Sequence, residues 1–261
     1  MRLISEEAFF NYNTLYEKSE LSLWLDLSTH CNAKCPQCHR TDADGLQKVD
    51  WLPVVQWSYE DFKKALTPKT LSHIERIDIC GTWGDPMMNK DIFKIVKYIM
   101  DESNCSILIN TNGSIRNADW WWNFGLLGGD RITVMWAVEG ISQDQHSLYR
   151  QDTDLKTVLD NMETFTLAGG ISEVFTVIFK HNEKDMYNIA KCVKELGAQD
   201  IFFVPSNRFK PYSNKFEFID KKGQMKFLEK ASIDETTTPD FFWKPLFLED
   251  SMEMIYNATP K

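Results

Sequence analysis

The fold is decided by the stretch Thr29-His-Cys31-Asn-Ala-Lys-Cys35-Pro-Gln-Cys38, which directly follows an apolar, strand-like run from Leu21 to Leu27. Its three cysteines have the spacing C-x3-C-x2-C. Three thiolates on one short loop can bind three irons of a four-iron cluster and leave the fourth iron without a protein ligand. An iron with an open position is a place for a substrate or cofactor to bind. We therefore expect a reactive iron–sulfur enzyme.

Apolar runs alternate with helical patterns along the chain. The strand-like runs are Leu21–Leu27, Ile74–Cys80, Ser106–Asn110, Ile132–Val138, Val174–Phe179 and Ile201–Val204. The helical patterns between them are 58–68, which opens with a capping box, then 91–102, 118–124, 155–168 and 186–196. This alternation predicts an α/β fold with a parallel sheet covered by helices. A complete eight-stranded barrel has about 250 residues, so we predict a partial (β/α)6 TIM-type barrel.

The pattern divides the chain into three parts. We expect an N-terminal extension over residues 1–20, the partial barrel over 21–205 and a C-terminal capping extension over 206–261. In the last part, Lys215–Phe218 and Gln224–Leu228 flank a turn sequence and predict a hairpin. An aromatic cluster, Phe241–Trp243, follows it. We expect this extension to cap the open side of the sheet.

Composition and charge exclude several functional classes. Hydrophobic residues make up 43% and charged residues 26%, as in ordinary globular proteins. The net charge of −9 argues against non-specific nucleic-acid binding and is compatible with a basic peptide partner. We find no signal-peptide pattern and no apolar run that could span a membrane. Three clustered and three scattered cysteines do not resemble a secreted disulfide framework, so we expect a cytoplasmic protein.

Several motifs follow the predicted strands directly. In barrels of this type the chemistry takes place at the carboxyl ends of the strands. The motifs at these ends are the cysteine loop, the Gly81–Pro86 turn, Thr111–Gly113, Glu139 and Pro205. We expect them to share one rim and to form the site.

The cysteine spacing, followed by this β/α pattern, resembles the cluster motif of the radical S-adenosylmethionine (SAM) superfamily over residues 20–205. In that family the methionine part of SAM chelates the open iron. An electron from the cluster then releases a 5′-deoxyadenosyl radical that takes a hydrogen atom from the substrate. The resemblance implies a 4Fe-4S cluster on Cys31, Cys35 and Cys38, SAM as cofactor, and an external electron donor of the flavodoxin or ferredoxin type.

The resemblance also implies cofactor contacts after the second and third strands. The sequence Gly81-Thr-Trp-Gly84-Asp85-Pro86 resembles a Gly-Gly-Glu-Pro turn that binds the methionine amine, although its first glycine is displaced and Asp replaces Glu. We therefore expect Gly84, Asp85 and Pro86 to contact SAM. Asn112 lies in a Thr-Asn-Gly turn that is similar to the family's turn at that place.

Further contacts are implied after the later strands. Val138-Glu139-Gly140 resembles a V-D-G pattern whose acid meets the ribose hydroxyls or the substrate. Tyr149-Arg150 resembles a pair in peptide-modifying members, in which the arginine holds the methionine carboxylate. Val204 and Pro205 lie where the family's backbone meets adenine. The sequence departs from the family at Gln37, where an aromatic residue usually packs near adenine.

Other interpretations of these residues stay open. The three cysteines could form a structural zinc site with His30 or His39 as the fourth ligand. Cys80 could supply a hydrogen atom to a substrate radical, or it could be a small buried thiol. The long Arg40–Trp57 loop could be a substrate lid or an ordered insertion. Since no cysteine follows Cys192, we expect a single cluster.

The sequence analysis leads to one preferred function and two alternatives. The preferred function is a radical SAM enzyme that modifies a peptide or protein. One alternative is a radical SAM enzyme that acts on a nucleoside or another small metabolite. The other is a non-enzymatic iron–sulfur or zinc binding protein.

Overall fold

A computed structural model describes residues 21–233 of the chain. Its main sheet consists of β1 (Ser22–Leu25), β2 (Arg76–Ile79), β3 (Ser106–Thr111), β4 (Ile132–Ala137), β5 (Ile171–Ile178) and β6 (Asp200–Pro205). The strands lie in sequence order, and every neighbouring pair is parallel. The predicted α/β fold with a partial TIM-type barrel is confirmed. Because all six carboxyl ends lie at one edge, the turns that follow them meet there.

Helices connect the strands and cover the sheet. They are α1 (Tyr59–Ala65), α2 (Pro68–Leu71), α3 (Ile92–Glu102), α4 (Ala118–Gly125), α5 (Gln143–His146), α6 (Leu155–Leu167) and α7 (Met186–Glu195). The N-cap half of the predicted capping box at the start of α1 is confirmed, because the Ser58 hydroxyl accepts a hydrogen bond from the Asp61 N–H at 3.1 Å. The buried face of α3 contains Ile92, Val96 and Ile99, as the apolar periodicity predicted.

Strand β5 and helix α5 are among the elements that differ from the sequence prediction. Strand β5 begins at Ile171, three residues before the predicted start at Val174. The apolar pattern did not predict this start, because the buried residue Ser172 is polar. Its hydroxyl accepts hydrogen bonds from Trp136 Nε1 at 3.0 Å and from Thr166 Oγ1 at 2.7 Å. Helix α5 was not predicted, because its four residues are all polar or charged and carry no apolar periodicity.

The predicted hairpin is present as β7 (Lys215–Ile219) and β8 (Met225–Glu229), which pair antiparallel. Its Phe218 and Leu228 pack in a small second core with Cys35. The backbone of Ile219 also exchanges hydrogen bonds with the segment after the cysteines, where it donates to Ala43 O at 2.8 Å. The described hairpin therefore supports the cysteine loop directly.

The structure leaves parts of the sequence interpretation untested. Residues 1–20 and 234–261, which include the Phe241–Trp243 cluster, lie outside the described residues. The three-part division of the chain stays a prediction. Within residues 21–233, no helix is both long and apolar enough to cross a membrane.

Candidate active site

The carboxyl ends of the strands surround a pocket of about 450 Å³, which we call the rim pocket. Its apolar floor is formed by Met135, Ala137, Phe175 and Val177. Most of the predicted site residues line it, namely Cys31, Cys35, Cys38, Cys80, Gly84, Asp85, Asn112, Arg150, Val204 and Pro205. The lining does not include Pro86 or Glu139. Motifs separated by more than 170 residues of sequence are thus brought to one place.

The three motif cysteines are free thiols held on a tightly bonded loop. The Cys38 N–H donates to Cys35 O at 3.1 Å, and the Thr41 hydroxyl donates to the same oxygen at 2.7 Å. Burial raises the pKa of Cys35 to about 11, although the Arg150 guanidinium opposes that shift. Burial also raises the pKa of Cys31, and the charge of Asp85 adds to the effect. A metal bound at these thiols would favour the thiolate and so offset the effect of burial.

The arrangement of donors bears on the choice between zinc and an iron–sulfur cluster. Among residues 21–233, no group of three or more His, Cys, Asp and Glu side chains is arranged to hold a single metal ion. Structural zinc requires four donors that converge on one point. In a cubic cluster each thiolate binds a different iron, so the ligands stand farther apart. Three thiols that line one pocket are the donor set that a 4Fe-4S cluster with one open iron takes.

The turn after β2 is packed onto the backbone that enters the cysteine loop. A Cβ atom on Gly84 would lie 2.3 Å from Ser28 O and 2.6 Å from His30 O, so glycine is required by close approach. The next residue, Asp85, donates its N–H to His30 O at 2.7 Å. Pro86 begins a 3₁₀ turn (Pro86–Met88). This turn thus fixes the position of the loop that carries the cysteines.

Asp85 is buried, and its carboxylate bonds to its own chain. It accepts hydrogen bonds from the Met87 N–H at 2.9 Å, the Thr111 hydroxyl at 3.0 Å and the Asn112 N–H at 2.8 Å. Burial raises the pKa of Asp85, and these hydrogen bonds oppose that rise. The predicted contact of Asp85 with the methionine amine stays a prediction. The observed contacts join the turns after β2 and β3.

Asn112 connects the turn after β3 with the cysteine loop. Its Nδ2 donates to Asn32 Oδ1 at 2.8 Å and lies 4.0 Å from Cys31 Sγ. Its Oδ1 accepts from the Ser114 hydroxyl at 2.8 Å. The side chain therefore lies beside one of the expected cluster ligands.

Glu139 is fully buried behind the lining of the pocket, and its partner is Arg150. Glu139 Oε1 lies 2.8 Å from Arg150 Nη2, and Arg150 Nη1 lies 3.7 Å from Cys35 Sγ. Burial acts to lower the pKa of Arg150, but the charges of Glu139 and Cys35 outweigh it and hold that pKa well above its ordinary value. Arg150 is thus a permanent cation between the acid and the cysteine. The structure does not bring Glu139 to the pocket, where the resemblance implied a ribose contact.

His146, to which the sequence pattern assigned no role, braces this pair. The Glu139 N–H donates to His146 Nδ1 at 3.2 Å, and His146 Nε2 lies 3.0 Å from the Thr153 hydroxyl. That hydroxyl donates to Arg150 O at 2.6 Å. Burial lowers the pKa of His146 to about 4. The ring is neutral, since the N–H that points at Nδ1 leaves no room for a proton there, despite a 3.8 Å approach to the Glu139 carboxylate.

Comparison with known proteins gives distant relatives. No family model matches the chain. It is 24% identical over 189 residues to a probable GTP 3′,8-cyclase of Methanocaldococcus jannaschii, covering 70% of this chain and 59% of that relative. It is 21% identical over 249 residues to a probable GTP 3′,8-cyclase of Sulfurisphaera tokodaii, covering 89% of this chain and 71% of the relative. The chain thus spans about three fifths of the first relative's length.

Solved structures share the fold. The chain matches anSMEcpe with bound AdoMet at a TM-score of 0.56 and 17% identity, over 71% of this chain and 50% of the other. It matches methylornithine synthase (PylB) at a TM-score of 0.56 and 16% identity, over 98% of this chain and 77% of the other. It matches Streptococcus suis SuiB bound to precursor peptide SuiA at a TM-score of 0.57 and 12% identity, over 76% of this chain and 42% of the other. These neighbours are radical SAM enzymes, and the chain shares their fold.

Gln37 has a structural role that the sequence analysis did not find. Its Oε1 accepts from the Ser206 hydroxyl at 2.6 Å, and its Nε2 donates to Arg208 O at 3.1 Å. Arg208 Nη1 in turn donates to Gln37 O at 3.0 Å. The residue therefore clamps the cysteine loop to the segment after β6. The signal in the sequence was the departure from an aromatic residue at this position.

Cys80 lies at the end of the strand that precedes the Gly81–Pro86 turn and lines the rim pocket. Its thiol donates to Asp78 O at 3.6 Å, and burial raises its pKa. The side chain is only partly buried, so it is accessible from the pocket. Its role as a hydrogen-atom donor stays a prediction.

Proposed function

We propose that this protein is a radical SAM enzyme that binds a 4Fe-4S cluster through Cys31, Cys35 and Cys38 and binds SAM in the rim pocket. The observation that supports this most strongly is the placement of three free thiols around one pocket. When bound, the cluster and SAM would supply a 5′-deoxyadenosyl radical that removes a hydrogen atom from the substrate.

We assign the surrounding residues to binding and orientation. The main chain of Gly84 and its neighbours in the turn after β2 would receive the methionine amine. Val204 and Pro205 line the side of the pocket where adenine would lie. The apolar floor would exclude water from the reacting atoms, which protects a radical from side reactions.

We propose a peptide or protein as the substrate. The Arg40–Trp57 loop exposes large apolar side chains, with Trp51 at 63% and Val55 at 55% exposure. The rings of Trp51 and Trp83 pack edge to face, with their centroids 5.3 Å apart. Thr82 and Gly84, on either side of Trp83 in the sequence, line the pocket. This apolar surface adjoins residues that line the pocket, and we assign it to the binding of an elongated substrate. Two structural neighbours, anSMEcpe and SuiB, have been solved with peptides.

A nucleotide is the second candidate substrate, because both curated relatives are named probable GTP 3′,8-cyclases. Arg40 and Arg208 also line the pocket, and guanidinium groups suit phosphates. The Arg40 guanidinium already donates to Thr29 O at 2.9 Å and Trp83 O at 3.2 Å. Arg208 is the more exposed of the two cations.

The test begins with anaerobic reconstitution with iron and sulfide. We expect about four irons per chain and, after reduction with SAM present, 5′-deoxyadenosine. Cys35→Ala should abolish both, whereas the matched control Cys105→Ala, which alters a thiol away from the pocket, should retain both. A zinc-bound chain that takes up no iron would overturn the proposal. Incubation with basic peptides and, separately, with GTP, followed by mass spectrometry, then distinguishes the two substrate classes.

The remaining assignments are also proposals. We propose that residues 21–205 form the catalytic barrel, flanked by an extension over 1–20 and a capping extension over 206–261. We further propose that the protein works in the cytoplasm with a flavodoxin or ferredoxin as electron donor, and without nucleic acid. Limited proteolysis and electron transfer from purified donors would test these statements.

A further inference from the structure

The guanidinium of Arg150 points at one of the expected cluster ligands. Its Nη1 lies 3.7 Å from Cys35 Sγ, within the range of an N–H to sulfur hydrogen bond. Among the hydrogen bonds within residues 21–233, the other one to a motif thiol comes from the neutral amide of Asn112, at 4.0 Å from Cys31. Arg150 therefore brings a full positive charge to the cluster site.

Glu139 is the carboxylate that forms an ion pair with this cation. The carboxylate is fully buried, and Oε1 lies 2.8 Å from Arg150 Nη2. Neither oxygen accepts a hydrogen bond of good geometry from the described residues. The negative charge of Glu139 is thus balanced mainly by the ion pair with Arg150.

The guanidinium is held in this direction by its own backbone and by its neighbour. The Arg150 N–H donates to His146 O at 2.9 Å, and Arg150 O accepts from the Thr153 hydroxyl. The guanidinium carbon also lies 5.1 Å from the centre of the Tyr149 ring. The orientation toward Cys35 is therefore built into the short segment that contains α5.

We propose that the Glu139–Arg150 pair sets the reduction potential of the cluster through the thiolate of Cys35. This inference rests on the proposed cluster. Reduction adds negative charge to the cluster, and a positive N–H donor at a ligand sulfur stabilises that charge and raises the potential. Glu139 acts in the opposite sense, and it also holds the donor in place. Cys35 is buried, so the charges are poorly screened by water.

This role differs from the contact that the resemblance implied for Arg150. Arg150 Nη1 faces Cys35 Sγ and Arg150 Nη2 faces Glu139 Oε1, so both terminal nitrogens of the guanidinium have partners within the protein. Arg150 and Glu139 are thus positioning residues that act through Cys35.

The experiment measures the midpoint potential of the reconstituted full chain by anaerobic redox titration, followed by electron paramagnetic resonance without SAM. We expect Arg150→Gln to shift the potential to more negative values and Glu139→Gln to shift it to more positive values. The double variant should lie between them. Lys156→Gln removes the same charge from an exposed site on α6 and should leave the potential unchanged.

The outcomes separate this inference from the proposed function. If the wild-type chain binds no iron–sulfur cluster, the proposed function fails and this inference fails with it. If the cluster forms but the two neutral variants leave the potential unchanged or shift it in one direction, the inference fails and the proposed function stands. If Arg150→Gln assembles no cluster, Glu139→Gln decides the question alone, and its potential must rise.

Discussion

The turns after β2 and β4 each place a buried acid beside the cysteines, but the two acids are used differently. Asp85 bonds to three donors of its own chain, and two of them are backbone N–H groups. Glu139 has a charged side chain, Arg150, as its partner. An acid whose partners are neutral donors anchors a fold, whereas an acid paired with a charged side chain can control the charge at the site. The comparison shows that burial alone does not reveal what an acid does.

The largest expected effect is a difference in stability between two glycine variants, one at Gly84, which precedes Asp85, and one at Gly140, which follows Glu139. In Gly84→Ala the new Cβ would meet backbone oxygens at 2.3 and 2.6 Å, which cannot move without shifting the entry to the cysteine loop. We expect a loss of more than about 3 kcal/mol in the free energy of unfolding. In Gly140→Ala the Cβ would meet Gln145 Oε1 at 2.7 Å and Gln145 Cβ at 2.9 Å, so the short helix α5 must shift together with the side chain. That variant should lose less, about 1–2 kcal/mol, because a four-residue helix can shift more easily than the backbone against Gly84.

Urea denaturation of both glycine variants provides the measurement. Equal losses would contradict the view that the turn after β2 is fixed by backbone contact and the turn after β4 by a side chain. Retention of the iron content in Gly84→Ala would be a second contrary result.

The next effect concerns the pH dependence of the turn after β4. His146 is neutral with its pKa lowered to about 4, against an ordinary value near 6.5. Below about pH 6.5 the unfolded chain takes up a proton that the folded chain refuses, so stability falls until about pH 4. The loss attributable to His146 should reach about 3 kcal/mol across that window.

The measurement is the stability of the metal-free chain between pH 4 and 7, compared with His146→Gln. The variant should be less stable at pH 7, because Gln cannot reproduce the bonds to Glu139 and Thr153. Its stability should then fall less steeply as the pH drops. Parallel curves for the two proteins would show that the ring is not buried in the neutral form.

A smaller effect is expected at the anchoring acid. Asp85→Ala would leave the Thr111 hydroxyl and two backbone N–H groups without their acceptor. Because Asp85 lines the pocket, water can replace part of the carboxylate. We therefore expect a loss of about 2 kcal/mol, and a smaller loss for Asp85→Asn, which keeps one acceptor oxygen. Thermal denaturation gives the comparison, and an unchanged Asp85→Ala variant would argue that these hydrogen bonds contribute little.

Much of the site could be predicted because it depends on local patterns. The cysteine spacing and the turns after the strands are contiguous in sequence, and parallel strands bring their carboxyl ends together wherever they occur. Gln37 and His146 could not be predicted in the same way. The partners of Gln37 are Ser206 and Arg208, about 170 residues away. His146 accepts a hydrogen bond from the Glu139 N–H, but it lies in α5, a helix whose sequence has no apolar pattern.

The sequence by itself determined the alternation of strands and helices, the three thiols on one loop and the edge of the sheet at which the site lies. These features follow from apolar periodicity and from the order of the strands, both of which are written along the chain. Only the tertiary structure decided that Asp85 bonds to the backbone and that Arg150 joins Glu139 to Cys35. Such pairings depend on distances between side chains from separate turns, and packing sets those distances.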